Sequence, residues 1–215
     1  MANRQNYPSK IFLDLFTPIN ESGGVLTICI DKLKPSSPWL HGSAIGEKHA
    51  KQARELIAKQ AGPNDSAILD FGRVESATAS YLKRLINPFF EPAGAPEGLP
   101  REMAPILVNV NSSDLKEEIE NYLAENGRVL ILADLRESQP RFRQLLGRLD
   151  RAAAETFKEL RELNRCTAAA LYERHREKTT NQTAWNNRLA QLVEMRLARR
   201  GRLGRFWIYE PTVES

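Results

Sequence analysis

Between Asn164 and Pro211 the chain reads NRCTAAALYERHREKTTNQTAWNNRLAQLVEMRLARRGRLGRFWIYEP, and few folds accommodate such a stretch. Thr167 is placed to cap a short helix whose apolar face is Ala168, Ala169, Leu171 and Tyr172. The polar run Lys178-Thr179-Thr180-Asn181 breaks that helix, and Asn181 falls at the N-cap of a second one. Trp185, Leu189 and Leu192 recur at helical spacing and give the second helix an inward face. Its opposite face, Gln182, Thr183, Asn186, Asn187 and Ala190, is small and uncharged but rich in amides and hydroxyls, the groups that hydrogen-bond base edges in a major groove. Two short strand candidates follow, 197–200 and 205–209, with a turn predicted at Gly201-Arg202-Leu203-Gly204. Arg196, Arg199, Arg200, Arg202 and Arg205 fall within the ten residues 196–205, a density suited to gripping phosphates.

Helix, turn, helix and basic hairpin in this order resemble a winged helix-turn-helix domain of bacterial transcription regulators. The run Thr183-Ala184-Trp185-Asn186-Asn187-Arg188-Leu189 is similar to the recognition helix of that family, and Arg199-Arg200-Gly201-Arg202 to its wing. The resemblance implies double-stranded DNA as a partner. Gln182, Thr183, Asn186 and Asn187 would read bases, and Arg188, Arg199, Arg200, Arg202 and Arg205 would hold phosphates. The blander alternative is a winged helix that binds protein, and Glu194, Glu173 and Glu177 partly offset the basic charge.

The charge distribution points the same way. Residues 138–215 hold 16 Lys+Arg against 9 Asp+Glu, whereas residues 1–137 hold 15 against 18. A basic C-terminal third on a slightly acidic body suits a nucleic-acid module attached to something else. No stretch approaches the ~20 apolar residues of a membrane span, and Met1 to Ser9 is polar, so neither a membrane anchor nor a secretory leader is expected. Cys29 and Cys166 are isolated, which fits a cytoplasmic chain better than a disulfide framework. With only three scattered histidines, no metal and no cofactor is expected.

The N-terminal part alternates strand and helix beyond a frayed tail at residues 1–10. Strands are expected at 11–16, 25–30 (apolar nearly throughout and so central), 67–71, 106–110 and 128–133. Helices are expected from Ser43 to Ala61, from about Ser80, and from Asp114 to Glu125 with Ser112 or Ser113 as cap. Such alternation predicts a parallel sheet. The Ile68–Phe71 strand, Val74 and the Thr78-Ala79-Ser80 helix entry, followed by the 106–125 unit, resemble the STAS domain of anti-sigma-factor antagonists and its STAS-like relatives over about residues 25–135. Of the family's aspartate-serine-serine-glycine hallmark only Ser80 is kept; Thr78, Ala79 and Tyr81 stand at the other three positions. The resemblance implies a module that docks partner proteins, a kinase-like ATPase among them, with Ser80 as a candidate phospho-switch; otherwise Ser80 is a helix-end serine.

Residues 138–163 read as helical throughout. Phe142, Leu145, Leu146 and Leu149 form one stripe, and Ala153, Phe157, Leu160 and Leu163 another, with a break at Gly147 or Asp150. An apolar connector needs a partner surface, either the C-terminal domain or a second copy, so a homodimer is expected. His41 and His49 read as surface residues, Trp185 as core, and Trp207 as packed beneath the wing. Asp70 at a strand end could in principle be catalytic, but no base or phosphate loop accompanies it, and the chain is not expected to be an enzyme.

The expected architecture is therefore an α/β STAS-like domain at 11–137, a helical connector at 138–150, and a mainly α winged-helix domain at 151–215. The expected function is DNA-binding transcriptional regulation with a sensor or docking module. The alternative is a non-enzymatic protein–protein partner switch in which the winged helix is an adaptor.

Overall fold

A computed structural model describes residues 25–29, 37–62, 65–100, 102–137, 139–177 and 181–214. The strand expected at 11–16, the turn at 20–24 and the helix-breaking run 178–180 lie outside the described residues.

The sheet is built from β1 (Val25–Cys29), β3 (Ser66–Asp70), β5 (Pro105–Val108), β6 (Val129–Arg136) and β7 (Gln139–Gly147), side by side in that order. The first four are parallel and β7 is antiparallel to β6. A short parallel pair, β2 (Trp39–Leu40) and β4 (Ser76–Ala77), lies apart from it. Three crossover helices, α1 (Ser43–Gln60), α2 (Ala79–Ile86) and α3 (Ser113–Glu125), return the chain between successive parallel strands. Because crossovers share one hand, strands laid down in sequence order put all three helices on the same face. That face is a core of Ala67, Leu69, Leu107, Leu130 and Leu132 against Ala53, Ile57, Tyr81, Leu85, Leu115, Ile119 and Leu123. β1 was expected to be central, but among the described residues it is the end strand; β3 and β5 hold the centre.

Pleating sends Ile68, Ile106, Val108, Val129, Ile131 and Ala133 to the opposite face. Three further helices cover them: α4 (Arg151–Leu163), α5 (Ala168–Arg174) and α6 (Gln182–Glu194). With the hairpin β8 (Ala198–Leu203) and β9 (Phe206–Pro211) they complete a second core containing Ala153, Phe157, Leu160, Leu171, Trp185, Leu189, Leu192 and Tyr209. The whole is a mixed α/β structure with a parallel-rich sheet between two helical layers.

The helix expected over 138–163 is corrected here. Residues Gln139–Gly147 are strand β7, and helix begins only at Arg151, where Asp150 Oδ1 accepts from the Ala153 N–H at 2.8 Å. The helix-like spacing of Phe142 and Leu145 has a physical source in a β-bulge. Pairing runs Leu132↔Gln144 and then Ala133↔Phe142, so Arg143 is the extra residue. One inserted residue inverts side-chain alternation beyond it, turning Phe142 to the same face as Leu145. Phe142 there meets Phe157 with ring centroids 5.8 Å apart, and the Arg161 guanidinium lies 3.5 Å above the Phe142 ring. The apolar stripe thus finds its partner inside the chain, and a second copy is not required to bury it. Gly147 ends β7 with φ +88, where any Cβ would collide with the Arg128 carbonyl oxygen.

No described helix is long and apolar enough to cross a membrane.

Phe157 sits where α4 meets the sheet. Phe157→Ala is expected to cost about 3–5 kcal/mol. Because α4–α6 and the sheet share one core, far-ultraviolet circular dichroism and Trp fluorescence should shift together in a denaturant titration. Two separate transitions would contradict that shared core.

Candidate nucleic-acid interface

Three side-chain caps fix the C-terminal helices where the sequence places them. The Ala170 N–H donates to Thr167 Oγ1 at 3.1 Å, starting α5, and the Ala184 N–H donates to Asn181 Oδ1 at 2.9 Å, starting α6. With Asp150 at the head of α4, each cap satisfies an amide otherwise left without a partner at a helix start. α5 is tied to α4 by Arg174 Nε on Glu159 at 3.1 Å and His175 Nε2 on the same carboxylate at 2.8 Å. The His175 ring stacks on Trp185 with centroids 5.4 Å apart. Trp185, Leu189 and Leu192 are buried, as their spacing predicts, and this sets the rotation of α6.

The outward stripe of α6 is Thr183, Asn187, Ala190 and Glu194, at i, i+4, i+7 and i+11. Gln182, Thr183, Asn187 and Glu194 are exposed, and Asn186 is half-buried on the flank. Four of the five outward-facing residues expected from the sequence thus form one surface, with Asn186 at its margin and Glu194 added at its far end. Arg188 is on the other flank, half-buried, its guanidinium 5.2 Å from the Trp185 ring centre. Beside it, Gln191 Nε2 donates to Asp150 Oδ2 at 3.3 Å.

The five arginines of this region divide by strand geometry. β8 and β9 pair Arg200↔Tyr209, Arg202↔Trp207 and Leu203↔Phe206, so the turn is Gly204-Arg205, three residues later than expected at its start. Gly204 takes φ +57 at the first central position, the placement that a two-residue type II′ hairpin favours. Arg200, Arg202 and Arg205 are exposed. Arg200 and Arg202 share one hairpin face and flank Trp207, at 4.8 and 4.5 Å from its ring centre.

Arg199 points the other way, and its assignment to phosphates is corrected. Its guanidinium donates to Ser66 Oγ at the start of β3. Burial pulls its pKa down, while the Glu210 and Asp65 carboxylates push it back up. Arg196 likewise turns inward, Nη1 lying 2.9 Å from Glu102 Oε2. Arg199 joins the hairpin to the sheet, and Arg196, in the turn before β8, reaches the loop ahead of β5. Trp207, expected beneath the hairpin, is instead 39 % exposed, and its neighbour Phe206 is 52 % exposed. Sequence reasoning missed this apolar tip, although three large apolar residues around a Gly-Arg turn are its signal.

In the α/β part, Ser80 is exposed in the first turn of α2, its Oγ 3.1 Å from Thr78 Oγ1, which also accepts from the Gly42 N–H at 3.1 Å. Asp70 Oδ1 accepts from the Gly72 N–H at 3.0 Å and from Asn109 Nδ2 at 2.8 Å, closing the loops at the ends of β3 and β5. His41 is exposed, but His49 is not the surface residue expected: it is 1 % exposed, with Nδ1 2.8 Å from the Tyr81 hydroxyl.

Comparison with protein families, with curated proteins and with solved structures finds no match to this chain.

Cys166 is free and buried between α4 and β9; burial, with Glu159 nearby, pushes its thiol up to about 12. At pH 8 Cys166 is therefore expected to resist alkylation in the folded protein and to react once denatured, as peptide mass mapping would show. Replacing Asn181 by Ala is expected to cost about 1 kcal/mol through the lost cap, measurable as faster amide exchange in the first turn of α6.

Proposed function

We propose that the chain is a DNA-binding transcriptional regulator in which α5, α6 and the β8–β9 hairpin act as a winged helix-turn-helix. The observation that carries this reading is the presence of two exposed surfaces on neighbouring elements, α6 and β8. One is an uncharged amide and hydroxyl face on α6, and the other is a hairpin with Arg200, Arg202 and Arg205 outward. Gln182, Thr183 and Asn187 would read base edges, with Asn186 and Arg188 at the flanks, and the three outward arginines would hold phosphates. Glu194, exposed on the same stripe, would accept from a cytosine amino group or keep the end of the helix off the backbone. The STAS-like α/β part would serve as sensor or docking module, and two copies of the chain would read paired half-sites.

A second reading rests on a different observation, the exposure of Ser80 at the start of α2. There a phosphate would meet unpaired helix amides and change which protein binds, as in a partner switch with a kinase-like ATPase. Mass spectrometry of the chain isolated from its native cells tests it; an unmodified Ser80 under every growth condition would remove it.

Binding should first be measured on DNA from upstream of the chain's own coding region and on mixed-sequence DNA, across a salt series. Arg200→Ala combined with Arg202→Ala is expected to weaken both complexes and to lower the slope of log K against log[salt] by about 2. An unchanged slope would remove the hairpin from the interface.

A further inference from the structure

We infer that the hairpin tip is a wedge that enters the minor groove of duplex DNA, unstacks a base step with Phe206 and Leu203, and bends the duplex. The inference rests on the DNA-binding reading above and goes beyond it, because phosphate contact alone calls for arginines and no apolar tip.

The tip has two chemically different faces. Leu203 and Phe206 are the last cross-strand pair before the turn, and so share a face. They are 37 % and 52 % exposed, where hairpin residues nearer the body, Ala198, Ile208 and Tyr209, are buried. The other face carries Arg200 and Arg202 against Trp207, itself 39 % exposed. Arg205, in the turn itself, lies 5.1 Å from the Phe206 ring centre. No carboxylate occurs from Ala198 to Tyr209. Glu210, next in the strand, is occupied by Arg165.

An apolar face with Arg205 beside it in the turn, Arg200 and Arg202 on the opposite face and no anion nearby discriminates among occupants. A protein or lipid surface would satisfy the apolar groups but leave the guanidiniums to find anions. The minor groove supplies both needs, phosphates along its walls and stacked bases at its floor. The two-residue turn keeps the tip narrow, and a groove about 6 Å wide admits a narrow element. Aliphatic and aromatic side chains inserted at a base step kink DNA by about 20–90° toward the major groove.

The test uses the full-length chain and a duplex of about 18 base pairs from its upstream DNA, roughly 60 Å long at ~3.4 Å per step, with a donor and an acceptor dye at the two ends. Binding is followed independently by anisotropy. Bound wild-type protein is expected to raise energy transfer to the level of a bend of about 20–90°. Substituting both Phe206→Ser and Leu203→Ser is expected to abolish the transfer change even at protein concentrations where anisotropy shows the duplex saturated. Arg202→Ala should weaken binding but leave the bend of the complex that still forms. Wild-type protein that binds without changing end-to-end transfer overturns the wedge alone. No binding to duplex at all overturns the DNA-binding reading and the wedge with it. Tighter binding to the single strand than to the duplex also overturns the wedge, in favour of base stacking on the exposed rings.

Discussion

Parallel strands buried on both faces impose the central constraint of this fold. Once Ile68, Ile106, Val108, Val129, Ile131 and Ala133 point away from α1–α3, that face must be covered. Burying a side chain the size of Ile or Val is worth about 1.5–3 kcal/mol, so leaving several of them in water would exceed the net stability of an ordinary domain. The cover is supplied by α4–α6, the elements that also present the candidate interface. What looks from the sequence like an attached C-terminal module is one of the two helical layers on the sheet.

This arrangement limits how a signal could travel. A tethered reading head would respond by changing its position, but here Arg199 of the hairpin is bonded to Ser66 of β3, and Arg196 just before the hairpin is paired with Glu102 in the loop ahead of β5. Ser66 opens β3, and Asp70 closes it beside the loop that leads to Ser80. A change at the Ser80 end of that strand would therefore act through packing on the opposite sheet face. Small shifts of packed layers are the mode available to such a body.

Much of this was legible in the sequence because the determinants are local. Caps at Ser112, Thr167 and Asn181, the alternation of strand and helix, and the inward Trp185-Leu189-Leu192 row all follow from neighbours a few residues apart. The failures share a different origin. β7 was masked because a bulge at Arg143 puts Phe142 and Leu145 on one face, imitating helical periodicity. Arg199 was mistaken for a phosphate contact because only tertiary placement brings Ser66 to it, 133 residues away in sequence. His49 was read as exposed because its hydroxyl partner, Tyr81, comes from a different helix. In the candidate site, residue types gave the chemistry, but strand alternation and long-range partners decided which arginines face outward.

The shared core also has a consequence for biosynthesis. The sheet's second face is fully synthesised once Leu145 of β7 is in place, but its cover is completed only when Val213 joins the same cluster. At the usual ~5–20 residues per second of chain elongation, that face waits about 3–14 s for its lid. During this interval the nascent chain displays a row of β-branched side chains that two independent domains would each have covered on their own.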